Sequence, residues 1–282
     1  MNTLKTLIIV MLFMACGKSK ADQSANTPAP PADSSHAPGT VLTVMTYNIH
    51  HGNPPESGED VRDMQGIADI INAQKPDLVS LNEVDVNNTR SGKSLDEAHE
   101  LGRLTGMYVY FAAALNYEGG YYGDAVLSRY PILDSMRYPL PYVLPGSETR
   151  DVAMITIDVN GEKILFASTH LDHLTPEDNR IRQAEIIADS IIPQLKYPLI
   201  FAGDLNASPD SKTISILEKR MTAACSGSGC PMTFPYNKPT ATLDYIMCRP
   251  ADRLSFLSYK ALNGINVSDH LPLVAKIKLE KE

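Results

Sequence analysis

Polar residues able to do chemistry recur at one kind of place in this sequence, the ends of short apolar runs. Asn48 ends Val41-Leu42-Thr43-Val44-Met45-Thr46-Tyr47, and Glu83 follows Leu78-Val79-Ser80-Leu81-Asn82. His170 follows Phe166-Ala167-Ser168-Thr169, Asp204 and Asn206 follow Leu199-Ile200-Phe201-Ala202-Gly203, and Asp269-His270 precede the last apolar run. Any one of them alone reads as a turn or cap residue. Together they point to a cleft, because ligand sites in α/β sheets form at strand ends. Glu83 is a hard oxygen donor of the kind Mg2+ takes, with remaining positions left to water and substrate phosphate. A zinc site would want more His or Cys ligands. His50 and His51, as neighbours on a strand, should point to opposite faces and bring at most one ring to a shared site.

The elements that must position these groups alternate between strand and helix. Val41 to Tyr47 is rich in β-branched residues and reads as a strand, as do Leu78 to Leu81, Ala125 to Leu127, Val152 to Val159 and Lys163 to Ser168. Asn160-Gly161 between the last two is a hairpin signal. Pro198 to Phe201, Thr242 to Met247 and Leu271 to Leu279 complete the strands. Helices are expected over Val61 to Gln74, with Met64, Ile67, Ala68 and Ile71 on one face, and over Ser94 to Gly106, with Gly106 as the stop. A third opens at Thr175 as cap with Pro176 at its first position, and Ile181, Ala184, Ala188, Ile191 and Leu195 form its apolar stripe. The chain shows no internal repeat. The economical organisation is one α/β domain over residues 41–282, its last strand ending near Lys278.

The N-terminus reads differently. Lys5 precedes the apolar run Leu7 to Met14, followed by Ala15 and Cys16. This is a secretory signal pattern, too short for the about 20 residues that span a bilayer. Phe13-Met14-Ala15-Cys16 resembles a bacterial lipoprotein box, so residues 1–16 are expected to be a signal peptide with Cys16 lipidated. Residues 17–40, rich in Ser, Ala and Pro without apolar periodicity, are expected to be a disordered tether. The domain would then sit lipid-anchored in the bacterial cell envelope as a monomer. The net charge of −8 gives long nucleic acid little general attraction, although a local basic groove would overcome that. Cys225 and Cys230 are spaced to close a small disulfide loop in an oxidising compartment. Cys248 belongs to an apolar run and reads as a buried thiol.

The ordered motifs resemble the endonuclease/exonuclease/phosphatase family. They are Met45-Thr46-Tyr47-Asn48-Ile49, Leu81-Asn82-Glu83-Val84-Asp85, Tyr122-Gly123-Asp124 through Pro131-Ile132, Ser168-Thr169-His170-Leu171-Asp172, Gly203-Asp204-Leu205-Asn206, Leu243-Asp244-Tyr245-Ile246 and Ser268-Asp269-His270-Leu271-Pro272. Each is weak alone, and their order along the whole domain is specific. The resemblance implies a four-layer α/β sandwich, two packed mixed β-sheets flanked by helices, and a Mg2+-dependent phosphoesterase, with Mn2+ as a substitute ion. It implies Glu83 as principal metal ligand, with Asn48 beside it and Asp269 supporting the metal or the attacking water. It implies Asp204 as the group that positions or deprotonates that water, and Asn206 and His170 as phosphate contacts. His270 would face the scissile phosphate, oriented and kept charged by Asp244. One position departs from the family's repair nucleases: they carry Asp two residues after the first Asn, where this chain has His50. Arg150 reads equally as a phosphate contact or a surface salt bridge.

Three functions follow from these readings. The favoured one is hydrolysis of a small, sugar or lipid phosphate ester. A secreted nuclease acting on DNA or RNA is the alternative within the family. A non-catalytic surface-binding lipoprotein on the same scaffold is the alternative from another class, and the intact set of carboxylates and histidines weighs against it. Substrate choice would rest on loops such as Asn87 to Lys93, Asn116 to Tyr122, Arg137 to Ser147 and Ala224 to Pro239, where Tyr117, Tyr121 and Tyr122 could stack on a sugar or base or pack on the rim.

Overall fold

Alternation along the strands divides each one between two faces, and the division sets the architecture. The computed structural model describes residues 39–280. The expected signal segment, Cys16 and nearly all of the 17–40 stretch lie outside the described residues.

Among the described residues, twelve strands form two six-stranded sheets. The first holds β1 (Thr40–Asn48), β2 (Leu78–Val86), β3 (Tyr108–Tyr117), β4 (Gly120–Ser128), β11 (Leu254–Ala261) and β12 (Leu273–Leu279), in the order β11-β12-β1-β2-β4-β3. The second holds β5 (Ile132–Leu140), β6 (Arg150–Val159), β7 (Glu162–His170), β8 (Leu199–Asp204), β9 (Thr222–Ala223) and β10 (Asp244–Cys248), in the order β5-β6-β7-β8-β10-β9. Both sheets are mixed. β1 runs parallel to β2 and β7 parallel to β8, and the other pairs are antiparallel. The two sheets pack face to face between helices α1 (Met64–Gln74) and α2 (Glu97–Thr105) on one side and α3 (Asp178–Ile186) and α4 (Lys212–Leu217) on the other. This is the four-layer sandwich.

Three cores hold the layers together. Leu42, Val44 and Leu78 of the first sheet meet Ile155, Phe166, Ile200 and Ile246 of the second. Their alternates Met45, Tyr47, Val79 and Leu81 pack on Ile67, Ile71 and Leu101 of α1 and α2. On the far side Leu165, Phe201 and Met247 pack on Ala184, Ile214 and Leu217 of α3 and α4. All of these side chains are essentially buried, and each Val, Leu, Ile, Phe and Met among them contributes roughly 1.5–3 kcal/mol.

Local differences from the sequence expectations have physical causes. The first helix starts at Met64 because the Asp63 carboxylate accepts from Gly66 N at 2.8 Å and caps it. Asp96 does the same for the second, accepting from His99 N at 2.9 Å, and Gly106 ends it at φ 67 as expected. Thr175 does not cap the third helix. The Thr175–Pro176 peptide is cis, the helix opens after Glu177, and Ile187–Ile191 continue it as a π-helical turn. The apolar stripe survives: Ala184, Ala188 and Ile191 are buried, with Ile181 and Leu195 packed beside them. The Asn160-Gly161 hairpin forms, with positive φ at both residues. Strands β3, β5 and β11 were not expected; all are edge or near-edge strands whose side chains are half exposed. Cys225 and Cys230 are joined as a disulfide, and Cys248 is a buried free thiol.

Candidate functional site

The same inter-sheet faces that are apolar at one end of the molecule turn polar at the other. In β1 the inward residues run Leu42, Val44, Thr46, Asn48. In β2 they run Leu78, Ser80, Asn82. In β7 they run Ile164, Phe166, Ser168, His170, and in β8 Ile200, Ala202, Asp204. A polar seam begins where Ser80 Oγ lies 2.7 Å from Ser168 Oγ across the sheets. Register completes the convergence. His170 and Asp244 both pair with Asp204, and Asn48 pairs with Asn82. Gly203 permits this approach, since a Cβ there would stand 1.9 Å from Thr169 O.

Asp204 is the centre of the site and is fully buried. Its Oδ2 accepts from Asn48 Nδ2 at 3.0 Å and lies 3.6 Å from Nε2 of both His170 and His270. Its Oδ1 accepts from the Asn206 backbone N–H at 2.9 Å, and its own N–H donates to Asn82 Oδ1 at 3.0 Å. Burial pushes the carboxyl up to about 7, with His270 pulling it down and Asp244 adding to the rise.

The two histidines flanking Asp204 carry opposite charge preferences. His270 Nδ1 donates to Asp244 Oδ2 at 2.8 Å. Burial opposes its charged form, but Asp244 and Asp204 outweigh burial and hold the ring up at about 10, so it is an imidazolium at neutral pH. Phe234 lies against this ring at 4.9 Å. His170 is held well below its ordinary value by burial and by the Arg150 guanidinium, so it is neutral. Arg150 Nη1 points at His170 Nδ1 at 3.2 Å, and the ring's other nitrogen, Nε2, faces Asp204. The Asn206 amide lies 2.9 Å from that nitrogen and donates to Leu171 O at 3.0 Å.

Arg150 is 2% exposed, so it is a buried cation, although it does pair with the half-exposed Glu148. Its guanidinium reaches His170, His173 Nδ1 at 3.4 Å and Glu148 at 3.2 Å. Tyr117 and Tyr122 have Arg90 over their rings at 4.5 and 5.3 Å, and Arg90 is itself bidentate to Asp85. Of the three rim tyrosines, Tyr121 stands 47% exposed.

Glu83 projects from a bulge in β2, where the pairing with β4 shifts between Leu81 and Val84 and Glu83 itself adopts φ 58. Asn48 Nδ2 donates to Glu83 Oε1 at 3.0 Å, bridging it to Asp204. Burial would raise the Glu83 carboxyl, yet contacts with His51, His170, Asn48 and His270 hold it well below the usual carboxylate range. It is therefore an ionised, half-buried oxygen donor of the kind a divalent cation takes. Asp269 stands apart. Its Oδ1 accepts from Ser268 Oγ at 3.4 Å, and it joins neither close group of potential ligands among the described residues, His50-His51-Glu83 and Asp204-Asp244-His270.

The first of these groups corrects the reading of the paired histidines. His50 and His51 lie in a 3-10 turn after β1, with φ 48 and 41, not on a strand. Both rings therefore face the Glu83 side. Two further residues escaped sequence reasoning. Asn82 donates to Asp124 Oδ1 at 2.7 Å and Thr169 O at 3.0 Å while accepting from Asp204 N, so it ties the two sheets together beneath the site. Asp124 Oδ2 accepts from His170 N at 3.1 Å, and burial with Asp151 nearby pushes its carboxyl well above the ordinary range. The period-two continuation of Leu78 and Ser80 marked Asn82 as inward-facing.

This arrangement offers an ionised oxygen site for a cation, a buried carboxylate, a cationic His and a neutral His around one point, which suits the stabilisation of a phosphate in transit. Comparisons with known proteins agree. The chain is 29% identical over 252 residues to the uncharacterised protein YbhP of Escherichia coli K12, covering 84% of this chain and 96% of that one. It resembles the structure of an endonuclease/exonuclease/phosphatase from Bacteroides vulgatus, with TM-score 0.69, 20% identity, and 86% of this chain and 100% of the other covered. It also resembles a mannosyl-6-phosphatase of Bacteroides thetaiotaomicron, with TM-score 0.65, 17% identity and coverage of 84% and 99%. The profile of one family, described as endonuclease/exonuclease/phosphatase, matches residues 45–270. This chain belongs to the endonuclease/exonuclease/phosphatase family, whose members are hydrolytic phosphoesterases typically dependent on a divalent metal.

Proposed function

We propose that this protein hydrolyses a small, sugar or lipid phosphate ester, using a divalent cation at Glu83 and Asn48 and water activated at Asp204. One observation carries the reading: Asp204 Oδ2 stands 3.6 Å from Nε2 of both His170 and His270, one ring held neutral and the other charged. A single carboxylate oxygen is thus placed to take a proton between a charged imidazolium and a neutral imidazole that face the same space.

The residues divide the work as follows. Glu83, ionised and half-buried, and the Asn48 side chain hold the ion. An ion bound there, Mg2+ or Mn2+, would supply Lewis-acid neutralisation of phosphate charge. Asp204 orients the attacking water and accepts its proton, and its rise to about 7 makes it a base matched to neutral pH. His270 donates from Nε2 to a phosphate oxygen as charge builds, while Asp244 fixes its orientation from Nδ1. His170, held neutral, presents Nε2 beside Asp204 and the Asn206 amide, and Arg150 acts through that ring from the Nδ1 side. The Asn206 amide, beside His170, supplies a further contact to phosphate. Asp269 is left to the water or outer hydration of the ion.

Three observations support a small or lipid substrate over long nucleic acid. The net charge is −8, which gives polyanions little general attraction. His50 replaces the metal-side Asp of the repair nucleases. The N-terminal sequence argues for anchoring through Cys16 at the cell envelope, where phospholipid headgroups and scavenged phosphate esters are at hand. A side-by-side rate comparison tests the substrate class, with plasmid DNA, an abasic duplex, phosphatidylinositol, sphingomyelin and simple sugar phosphates at physiological salt. The expected result is a higher kcat/KM on a lipid or sugar phosphate. DNA cleavage well above every small or lipid substrate would overturn it in favour of a secreted nuclease.

A further inference from the structure

The turn that follows β1 is built to aim two imidazoles at Glu83. His50, His51 and Gly52 occupy consecutive left-handed positions, at φ 48, 41 and 69. For the two histidines this backbone costs roughly 1–3 kcal/mol each, so the surrounding structure must enforce it. It does so from several directions. Asp63 N donates to Gly52 O at 2.8 Å, and Asn53 Nδ2 donates to Gly58 O at 2.8 Å and Val61 O at 3.0 Å. A side chain at Gly52 would meet Met64 Cε at 2.2 Å.

The rings are presented as ligands are. His50 Nδ1 lies 2.9 Å from Asn53 O. A carbonyl only accepts, so this nitrogen carries the proton and Nε2 keeps a free lone pair, the arrangement that orients a metal-binding imidazole. His51 Nδ1 is buried and has no hydrogen-bond partner among the described residues. It lies 3.7 Å from Glu83 Oε2, too far for a hydrogen bond. Two ligands of one ion with bonds of ~2.0–2.2 Å stand at most ~4.4 Å apart. The His51–Glu83 pair is already within that span. One ligand atom from each of His50, His51 and Glu83 lies within 4.8 Å of the others, so the full set closes on one ion with inward shifts of at most about 0.7 Å at each ligand, given bonds of ~2.1 Å.

We propose that His50 and His51 join Glu83 as direct ligands of the divalent ion, and that this centre selects a first-row transition ion, such as Mn2+, Co2+ or Zn2+, over Mg2+. The physical reason is ligand softness. Mg2+ favours oxygen ligands and dehydrates reluctantly, whereas imidazole nitrogen strengthens binding of transition ions. The inference rests on the reading of Glu83 as the ion's anchor and deepens it by naming the ion class.

The test is metal binding, which does not depend on turnover. Metal-stripped protein is titrated calorimetrically with CoCl2, MnCl2 and MgCl2, for the wild type and for His50→Ala, His51→Ala and Glu83→Gln. X-ray absorption of the Co2+-loaded wild type reports imidazole scattering without any substitution. The expected result is Co2+ binding at least ~10-fold tighter than Mg2+, imidazole in the absorption spectrum, and a loss of about 10–100-fold in Co2+ affinity in either His variant with Mg2+ affinity little changed. Equal affinity for Co2+ and Mg2+ with an all-oxygen spectrum would overturn the proposal while leaving the phosphoesterase reading intact. Imidazole-bound Co2+ in a protein inert on every phosphate ester would uphold this centre and overturn the activity instead.

Discussion

Replacing Asp244 by Asn keeps the shape beside His270 and removes the charge that holds the ring protonated. The His270 value stands at about 10 against an ordinary 6.5. At about 1.4 kcal/mol per pH unit, this difference is on the order of 5 kcal/mol in favour of the imidazolium. Burial acts against the charged ring, and Asp244, at 2.8 Å, is the largest contribution in its favour, ahead of Asp204 at 3.6 Å. In Asp244→Asn the burial effect remains with only the weaker partner to offset it. The alkaline limb of the kcat profile, where His270 loses its proton, is expected near pH 10 in the wild type and several pH units lower in the variant. At pH 8 the variant's turnover should fall by at least ~10²-fold, and lowering the pH should restore part of it. The sign in stability follows from the same shift. A raised His value contributes stability that is fully present below pH 6.5 and is lost as pH rises through about 10, so the stability gap between wild type and variant should close over that window. Stopped assays from pH 5 to 10.5 with paired denaturant melts read both effects. A variant whose alkaline limb stays near 10 at full turnover would refute the assignment of His270 as a phosphate donor charged by Asp244.

Other perturbations separate the remaining roles. Asp204→Asn should lower kcat by at least ~10²-fold with little change in KM, and near-native turnover would remove Asp204 from the chemistry. Glu83→Gln should raise the ion concentration needed for half-maximal rate by at least ~10-fold; an unchanged ion dependence would move the metal elsewhere. Asn82→Ala should both slow catalysis and lower stability by about 1–3 kcal/mol, since it strands the buried Asp124 carboxyl and the Asp204 backbone N–H; a stable, fully active variant would contradict its place beneath the site. Cell fractionation of Cys16→Ser should show the protein released from the membrane fraction or left unprocessed, and an unmodified wild-type chain in the cytoplasm would refute the anchor.

Residues carried by strand alternation were legible in the sequence. Asn48, His170 and Asp204 each continue a run of inward apolar residues by steps of two, so their shared direction follows from the pleat. The Asp204–Asp244 and Asp204–His170 pairings are matters of register between strands distant in sequence, and the family resemblance implied only that these residues share one site. Local backbone exceptions were not legible. His50 and His51 were assigned to opposite faces because the strand was assumed to continue, whereas two positive φ values turn both rings to one side. Glu83 likewise owes its aim to a bulge that no alternation encodes. Arg150 read equally as a surface group or a phosphate contact, because its burial depends on Tyr122, His170 and His173 converging from separate elements. The edge strands β3, β5 and β11 lacked a clean apolar pattern because much of each faces solvent.

The central claim is that one ion-dependent site hydrolyses phosphate esters. The most direct measurement is the hydrolysis rate of bis(p-nitrophenyl) phosphate and p-nitrophenyl phosphate by EDTA-dialysed protein, before and after adding back MgCl2 or MnCl2, with Asp204→Asn run in parallel. The account predicts negligible hydrolysis of both esters after dialysis, restoration of at least one by added ion, and no restoration in Asp204→Asn. Full activity in metal-free protein, or equal restored activity in the variant, would contradict it.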